Sequence, residues 1–338
     1  KRPLVLALRG RKPGRKTYEV TLPAGIRDEY GQKISGERTF SFEVGSVTPS
    51  MASATGKMFV PDPASTPALP VATVNYRTLE VRARRVEPAD WGDYLEYRRD
   101  WRRYGKHQEP PPGEVVLEET VTVEGPLDES VTTRIDLREA LGADGLGQLL
   151  VVVEPGQPME GAEEPRRTRS IRTWVQSTKI GLDGFVDRES FVGWVTRLTD
   201  GEPVAGVDVE LAASGTAGKT DEAGVAELAL PEGDEKIRNM KKYDYLVARD
   251  GNDVAILPER YYGGSISRYG RTNDRTSTTS SWRRRPRQAR LKWHVFDDRQ
   301  IYRPGESVHL KGWIRRVEAD AFGTLSLPDE VEKVRYRV

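Results

Sequence analysis

The sequence predicts an all-β protein of tandem antiparallel β-sandwich modules with one short helical insertion. Three observations carry that prediction. Apolar and polar residues alternate with a period of two along most of the chain, which puts one strand face on a core and the other in water. Turn signals punctuate those stretches: Asp183-Gly184, Asp200-Gly201, Asp250-Gly251, and Pro-Gly at 13–14, 155–156 and 304–305. The chain has 338 residues, and at roughly 100–200 residues per domain it should hold two or three domains.

The elements follow in order. Tyr18, Val20 and Leu22 alternate with Glu19 and Thr21, and Phe40, Phe42 and Val44 alternate with Ser41 and Glu43. Leu79-Val81-Ala83, Val207-Val209-Leu211, Ala226-Leu228-Leu230 and Val308-Leu310-Gly312-Ile314 repeat the pattern. The run Leu149 to Val153 is apolar throughout and predicts a central strand buried on both faces. One stretch departs from period two. Between Asp90 and Tyr104, the residues Tyr94, Tyr97, Trp101 and Tyr104 fall at steps of three and four, a helical stripe flanked by arginines. Asp93, Glu96 and Asp100 interleave with those arginines, so the stripe reads as a face packed on a neighbouring sheet rather than as a nucleic-acid helix.

Composition limits function. Lys+Arg 53 against Asp+Glu 52 leaves a net charge of +1, which argues against bulk polyanion binding. Hydrophobic content is 36%, and no apolar run approaches the roughly 18 residues of a membrane helix. The basic start, Lys1-Arg2-Pro3, lacks an apolar stretch long enough for a signal peptide, so any export signal is expected outside these residues. With no cysteine, disulfides, thiolate zinc sites and thiol nucleophiles are excluded within this stretch. His107, His294 and His309 show no metal-binding spacing. No G-x-S-x-G elbow, phosphate loop or dinucleotide fingerprint occurs. The sequence therefore points to no catalytic, cofactor-binding or metal residue and predicts a chain that is not an enzyme. Thr220-Asp221-Glu222-Ala223-Gly224 lacks the acid spacing of a calcium loop and reads as an Asx turn. Between 260 and 299, eleven Lys/Arg stand against three acids, including Trp282-Arg283-Arg284-Arg285-Pro286-Arg287. That segment reads as a flexible, solvated connector open to trypsin at Arg283–Arg285.

An internal repeat supports tandem modules. Glu189-Ser190-Phe191-Val192-Gly193-Trp194-Val195-Thr196-Arg197 is similar to Glu306 through Arg316, each carrying Gly-Trp and a basic end.

The stretch Phe296-Asp297-Asp298-Arg299-Gln300-Ile301-Tyr302-Arg303-Pro304-Gly305-Glu306-Ser307-Val308-His309-Leu310-Lys311-Gly312 resembles the "TDR-x-IYRPGE-x-V-x-x-KG" signature of the α2-macroglobulin family. Pro304-Gly305 would make the turn, Tyr302 would fold back, and Val308 and Leu310 would enter the next strand. Gly193 through Leu211 with Thr220-Asp221-Glu222-Ala223-Gly224, and Ala248 through Leu257, resemble a macroglobulin module of bacterial members. Tyr18 to Val44 is similar to Ig-like modules of the same proteins.

The resemblance implies this layout: 1–47, the C-terminal part of a bacterial Ig-like module; 48–160, a macroglobulin-like sandwich with a helical insertion near 90–104; and 166–262, a second such sandwich. A flexible basic linker at 263–290 and the start of a further module at 291–338 complete it. It implies the scaffold portion of a bacterial protease inhibitor that traps proteases after bait cleavage, with bait and thioester outside this stretch. Trapped proteases, and by resemblance alone a peptidoglycan synthase, would be the partners. No cofactor and no nucleic acid are implied, and a membrane only through a lipid anchor outside this stretch. The location would be periplasmic or cell-envelope. A structural or adhesive surface protein of Ig-like beads is the alternative.

Overall fold

The fold is seen in a computed structural model, which describes residues 14–27, 30–33, 38–104, 110–163, 170–187, 189–232, 245–259, 282–284, 287–299, 301–320 and 322–329, with the side chains of 99–104 left aside. Among these residues there are twenty strands, one α-helix and one short 3-10 turn. The protein is all-β, as the alternation predicts.

Strands β1 (Lys16–Thr21) and β2 (Thr39–Val44) form an antiparallel hairpin in which Tyr18 stacks on Phe42 at 5.6 Å. The first sandwich follows. One sheet has the order β3 (Ser50–Ala52), β5 (Ala68–Val74), β8 (Ser130–Asp136). The other runs β4 (Met58–Phe59), β10 (Ile171–Ser177), β9 (Gly147–Pro155), β6 (Thr78–Arg85), β7 (Glu114–Thr122). Leu69, Val71 and Ile135 from the smaller sheet meet Leu79, Val81, Leu149, Val151 and Val153 from the larger one. Burying a side chain of this size contributes roughly 1.5–3 kcal/mol.

Between β6 and β7 lies helix α1 (Trp91–Tyr104), preceded by a 3-10 turn at Pro88–Asp90. Glu87 and Asp90 cap that turn reciprocally, the Glu87 amide donating to Asp90 Oδ2 at 2.9 Å. Trp91, Tyr94 and Tyr97 are buried, as the stripe predicts. Trp101 and Tyr104 lie outside the described side chains.

The second sandwich packs sheet β11 (Ile180–Val186), β12 (Ser190–Arg197), β15 (Val225–Ala229) on sheet β14 (Thr216–Lys219), β13 (Asp208–Leu211), β16 (Tyr245–Asp250), β17 (Asp253–Pro258). Phe191, Val195, Val209, Leu211, Leu228 and Leu246 fill its core. Last comes β18 (Arg290–Asp297), β19 (Leu310–Val317), β20 (Leu325–Ser326), a single three-stranded sheet.

Three expectations change. First, Ile171–Ser177 pairs with β9 and β4, so this strand belongs to the first sandwich and not to the module expected over 166–262. The change of sandwich falls between Ser177 and Ile180, not between 160 and 166. β9 is paired on both edges, by β10 and β6, and the apolar run at 149–153 is covered on both faces, Leu149, Val151 and Val153 in the first core and Leu150 and Val152 in the cluster with α1. Second, Asp183-Gly184 is not a turn; both residues lie within β11, opposite Trp194 and Gly193. A side chain at 184 would meet Phe191 Cζ at 2.6 Å, so the glycine serves packing. Third, the basic stretch is anchored where it is described. Trp282 is 6% exposed and packs edge-on against Phe191 at 4.6 Å. The Arg284 amide donates to Pro231 O at 2.9 Å, and its guanidinium meets Glu232 at 3.1 Å. Arg287 pairs with Glu189 at 3.4 Å, and Arg290 already belongs to β18. One tryptophan entering a core outweighs the local polarity around it. Residues 260–281 lie outside the described part.

Candidate functional site

Three constellations gather the chemistry of the described residues, and all of them hold backbone in place.

The first is the signature turn before β19. Pro304 and Gly305 form the turn, and Gly305 has φ 90°, a region that glycine enters without steric cost. Glu306 closes it twice: its amide donates to Arg303 O at 3.1 Å, and its carboxylate accepts from the Arg303 amide at 3.2 Å. Tyr302 turns back as expected. Its hydroxyl donates to Asp298 Oδ1 and accepts from the Arg299 amide at 3.3 Å, while the Arg299 guanidinium sits 5.2 Å over its ring. The Tyr302 bond holds the Asp298 carboxyl below its ordinary range. Arg299 also approaches Glu306 at 3.7 Å. The strand starts at Leu310, so Val308 precedes it.

The second joins the two sandwiches. Leu150, Val152 and Trp174 on the outer face of the first form one buried cluster with Trp91, Tyr94 and Tyr97 of α1 and with Val247 and Ile256 of the second. Trp174 is fully buried; its ring lies 5.3 Å from Trp91 and 5.5 Å from Tyr94. The Tyr94 hydroxyl donates to Lys57 O and accepts from the Trp174 amide at 3.1 Å. Trp174 Nε1 donates to Gln148 Oε1 at 2.6 Å, and Gln148 Nε2 donates to Val254 O at 2.7 Å. A cleft of about 170 Å³ opens beside this contact, lined by Arg85, Glu87, Leu141, Gln148, Asn252 and Val254 among others. Both the oxygen and the nitrogen of the Gln148 amide are engaged by protein partners there.

The third ties the first hairpin to the first sandwich. Asn75 and Asp128 both adopt left-handed backbone, with φ 60° and 65°. Each secures the other: the Asp128 amide donates to Asn75 Oδ1 at 2.6 Å, and Asn75 Nδ2 donates to Asp128 Oδ1 at 2.8 Å. The carboxylate also accepts from Ser46 Oγ at 2.7 Å, the Val47 amide at 2.8 Å and Arg15 Nε at 2.9 Å. Burial alone would push this carboxyl up. The bonds from Ser46, Asn75, Val47 and Arg15 outweigh it and hold the pKa at about 2. Along the sequence this clasp is hidden, because its members are spread from Arg15 to Asp128. The one local signal is that asparagine and aspartate tolerate left-handed backbone.

His294 stacks on Trp313 at 5.9 Å, His309 precedes β19, and His107 lies outside the described residues. Among the described residues no group of three or more His, Asp or Glu could hold a metal ion. Asp221 makes the expected Asx turn, accepting from the amides of Ala223 and Val225 at 2.9 Å each.

Comparison with known proteins adds the following. Native alpha-2-macroglobulin from Escherichia coli, in a structure spanning domains MG0-NIE-MG1, is 17% identical with a TM-score of 0.47, covering 74% of this chain and 77% of that one. Salmonella alpha-2-macroglobulin reacted with methylamine is 16% identical with a TM-score of 0.47, covering 94% of this chain and 18% of that one. The chain is similar to bacterial alpha-2-macroglobulins. No family model matches it. Among curated proteins, "Circularly permutated Ras protein 2" of Dictyostelium discoideum is 25% identical over an alignment of 247 residues that covers 62% of this chain. This chain spans 6% of that protein's length.

Proposed function

We propose that this chain is a non-enzymatic scaffold portion of a bacterial α2-macroglobulin-like protease inhibitor, with the bait segment and any thioester outside these residues. The observation that carries the reading is the signature turn. Of the residues that give the sequence its resemblance, Asp298, Arg299, Tyr302, Arg303 and Glu306 bond to one another around the turn that Pro304 and Gly305 make before β19. A generic sandwich hairpin needs only a short turn and has no use for this set. In this role the modules are the frame that moves when a protease cuts elsewhere. The partners are proteases, with a peptidoglycan synthase as a further one, and the setting is the periplasm or cell envelope.

The test uses the full-length protein. Brief exposure to a broad-specificity protease should give one early cut, followed by a smaller radius of gyration in small-angle scattering and retention of the protease. Progressive digestion into module-sized pieces without compaction would overturn the reading and leave a surface protein of tandem modules.

A further inference from the structure

We propose that the two sandwiches, as formed by the described residues between 50 and 259, move as one rigid body, clamped by Gln148, Gln176 and Asp253 across a connector too short and too well bonded to act as a hinge. Domains joined in one chain move against each other by default unless their interface is substantial and apolar. Here three observations override that default.

The connector is Thr178-Lys179 alone, since β10 ends at Ser177 and β11 begins at Ile180. Both residues are held by Asp253, which starts β17 in the other sheet of the second sandwich. Its carboxylate accepts from Thr178 Oγ1 at 2.6 Å and from the Lys179 amide at 2.8 Å, and Asp253 is 7% exposed. Thr178 Oγ1 in turn accepts from the Ile180 amide at 3.0 Å. Turning about this connector would have to break all three bonds.

β17 is also the edge of its sheet. An edge strand presents unpaired amides and carbonyls that a neighbour must satisfy. Two glutamines of the first sandwich do so: Gln148 Nε2 donates to Val254 O at 2.7 Å, and the Ile256 amide donates to Gln176 Oε1 at 2.7 Å. Alternate residues of the strand are thus bonded as an adjacent strand would bond them. Trp174 fixes Gln148 from behind at 2.6 Å. Between these bonds, Leu150, Trp174, Val247 and Ile256 are 2% exposed or less, so separation would wet them together. A rearrangement of a larger assembly containing this chain must then pivot before Ser50 or after Glu259.

Because the chain has no cysteine, spin labels can be placed cleanly with Thr132→Cys and Ala217→Cys, at exposed positions of the first and second sandwich. Double electron–electron resonance should give one narrow distance distribution. Adding Gln148→Ala, Gln176→Ala and Asp253→Ala together should at least double its width while the far-UV spectrum stays unchanged. A broad or two-peaked distribution in the parent pair would overturn the rigid body, and this arm does not depend on any variant folding. An equally narrow distribution in the folded triple variant would overturn the clamp. If the triple variant fails to fold, Gln148→Ala with Gln176→Ala, which keeps Asp253, takes its place.

Discussion

Replacing Asp128 by asparagine removes one charge and leaves the backbone alone, because asparagine also tolerates a φ of 65°. The carboxylate receives bonds from Ser46, Val47, Asn75 and Arg15. Its pKa of about 2, against an ordinary 3.8, corresponds to about 2.4 kcal/mol at about 1.4 kcal/mol per pH unit. The Arg15 side chain is 45% exposed, so solvent screens its share and about 1–2 kcal/mol remains. Amide exchange at Val47, normalised to the intrinsic rate, reads this directly, because that N–H donates to the carboxylate. Protection at pH 7 should fall roughly 5–30-fold in Asp128→Asn. The folded-state pKa is depressed, so the stabilisation is full above about pH 4 and is lost as the pH falls towards 2. The gap between parent and variant should therefore be constant at neutral pH and close by pH 2. Equal protection at pH 7, or a gap that persists unchanged at pH 2, would show that the charge does not hold this joint.

Trp174→Ala should destabilise the first sandwich by about 3–5 kcal/mol in urea denaturation, since a fully buried ring is lost and Gln148 loses a donor. Gly305→Ala meets no atom within 4 Å and should cost only the left-handed backbone, about 1–2 kcal/mol; Gly224→Ala, also left-handed, places a Cβ 2.3 Å from Val195 O and should lower the melting temperature further. Trp282→Ala should weaken the second sandwich by about 3 kcal/mol and make Arg283 and Arg284 early trypsin sites, identified by mass spectrometry, whereas the parent should resist cleavage there.

Much of the fold is legible in the sequence because strand alternation is a local signal. The hairpin of Lys16–Thr21 with Thr39–Val44, the strand at Thr78–Arg85 and the aromatic stripe of α1 all lie where periodicity puts them. The turn at Pro304-Gly305 is legible for the same reason, since its partners lie within eight residues. The outer-face residues Leu150 and Val152 show what is half-legible. Their place in an unbroken apolar run says that both faces of β9 are covered, but not by what.

Legible along the chain are most of the strands, the helix stripe, the Asx turn at Asp221, the Pro304-Gly305 turn and the resemblance carried by Phe296–Gly312, whereas Pro155 proves to end strand β9 and makes no turn with Gly156. It takes the folded chain to show that Ile171–Ser177 belongs to the first sandwich, that Trp282 fills the core of the second, and that Asp128 and Asp253 are joints rather than surface acids. The physical reason is range. Periodicity and turn preference act over a few residues, whereas Gln148 reaches Val254, Asn75 reaches Asp128, and Phe191 reaches Trp282 only after the chain has returned on itself. A tryptophan among arginines and a glutamine among valines look like exceptions along the chain, and they are resolved only by the neighbours that folding brings.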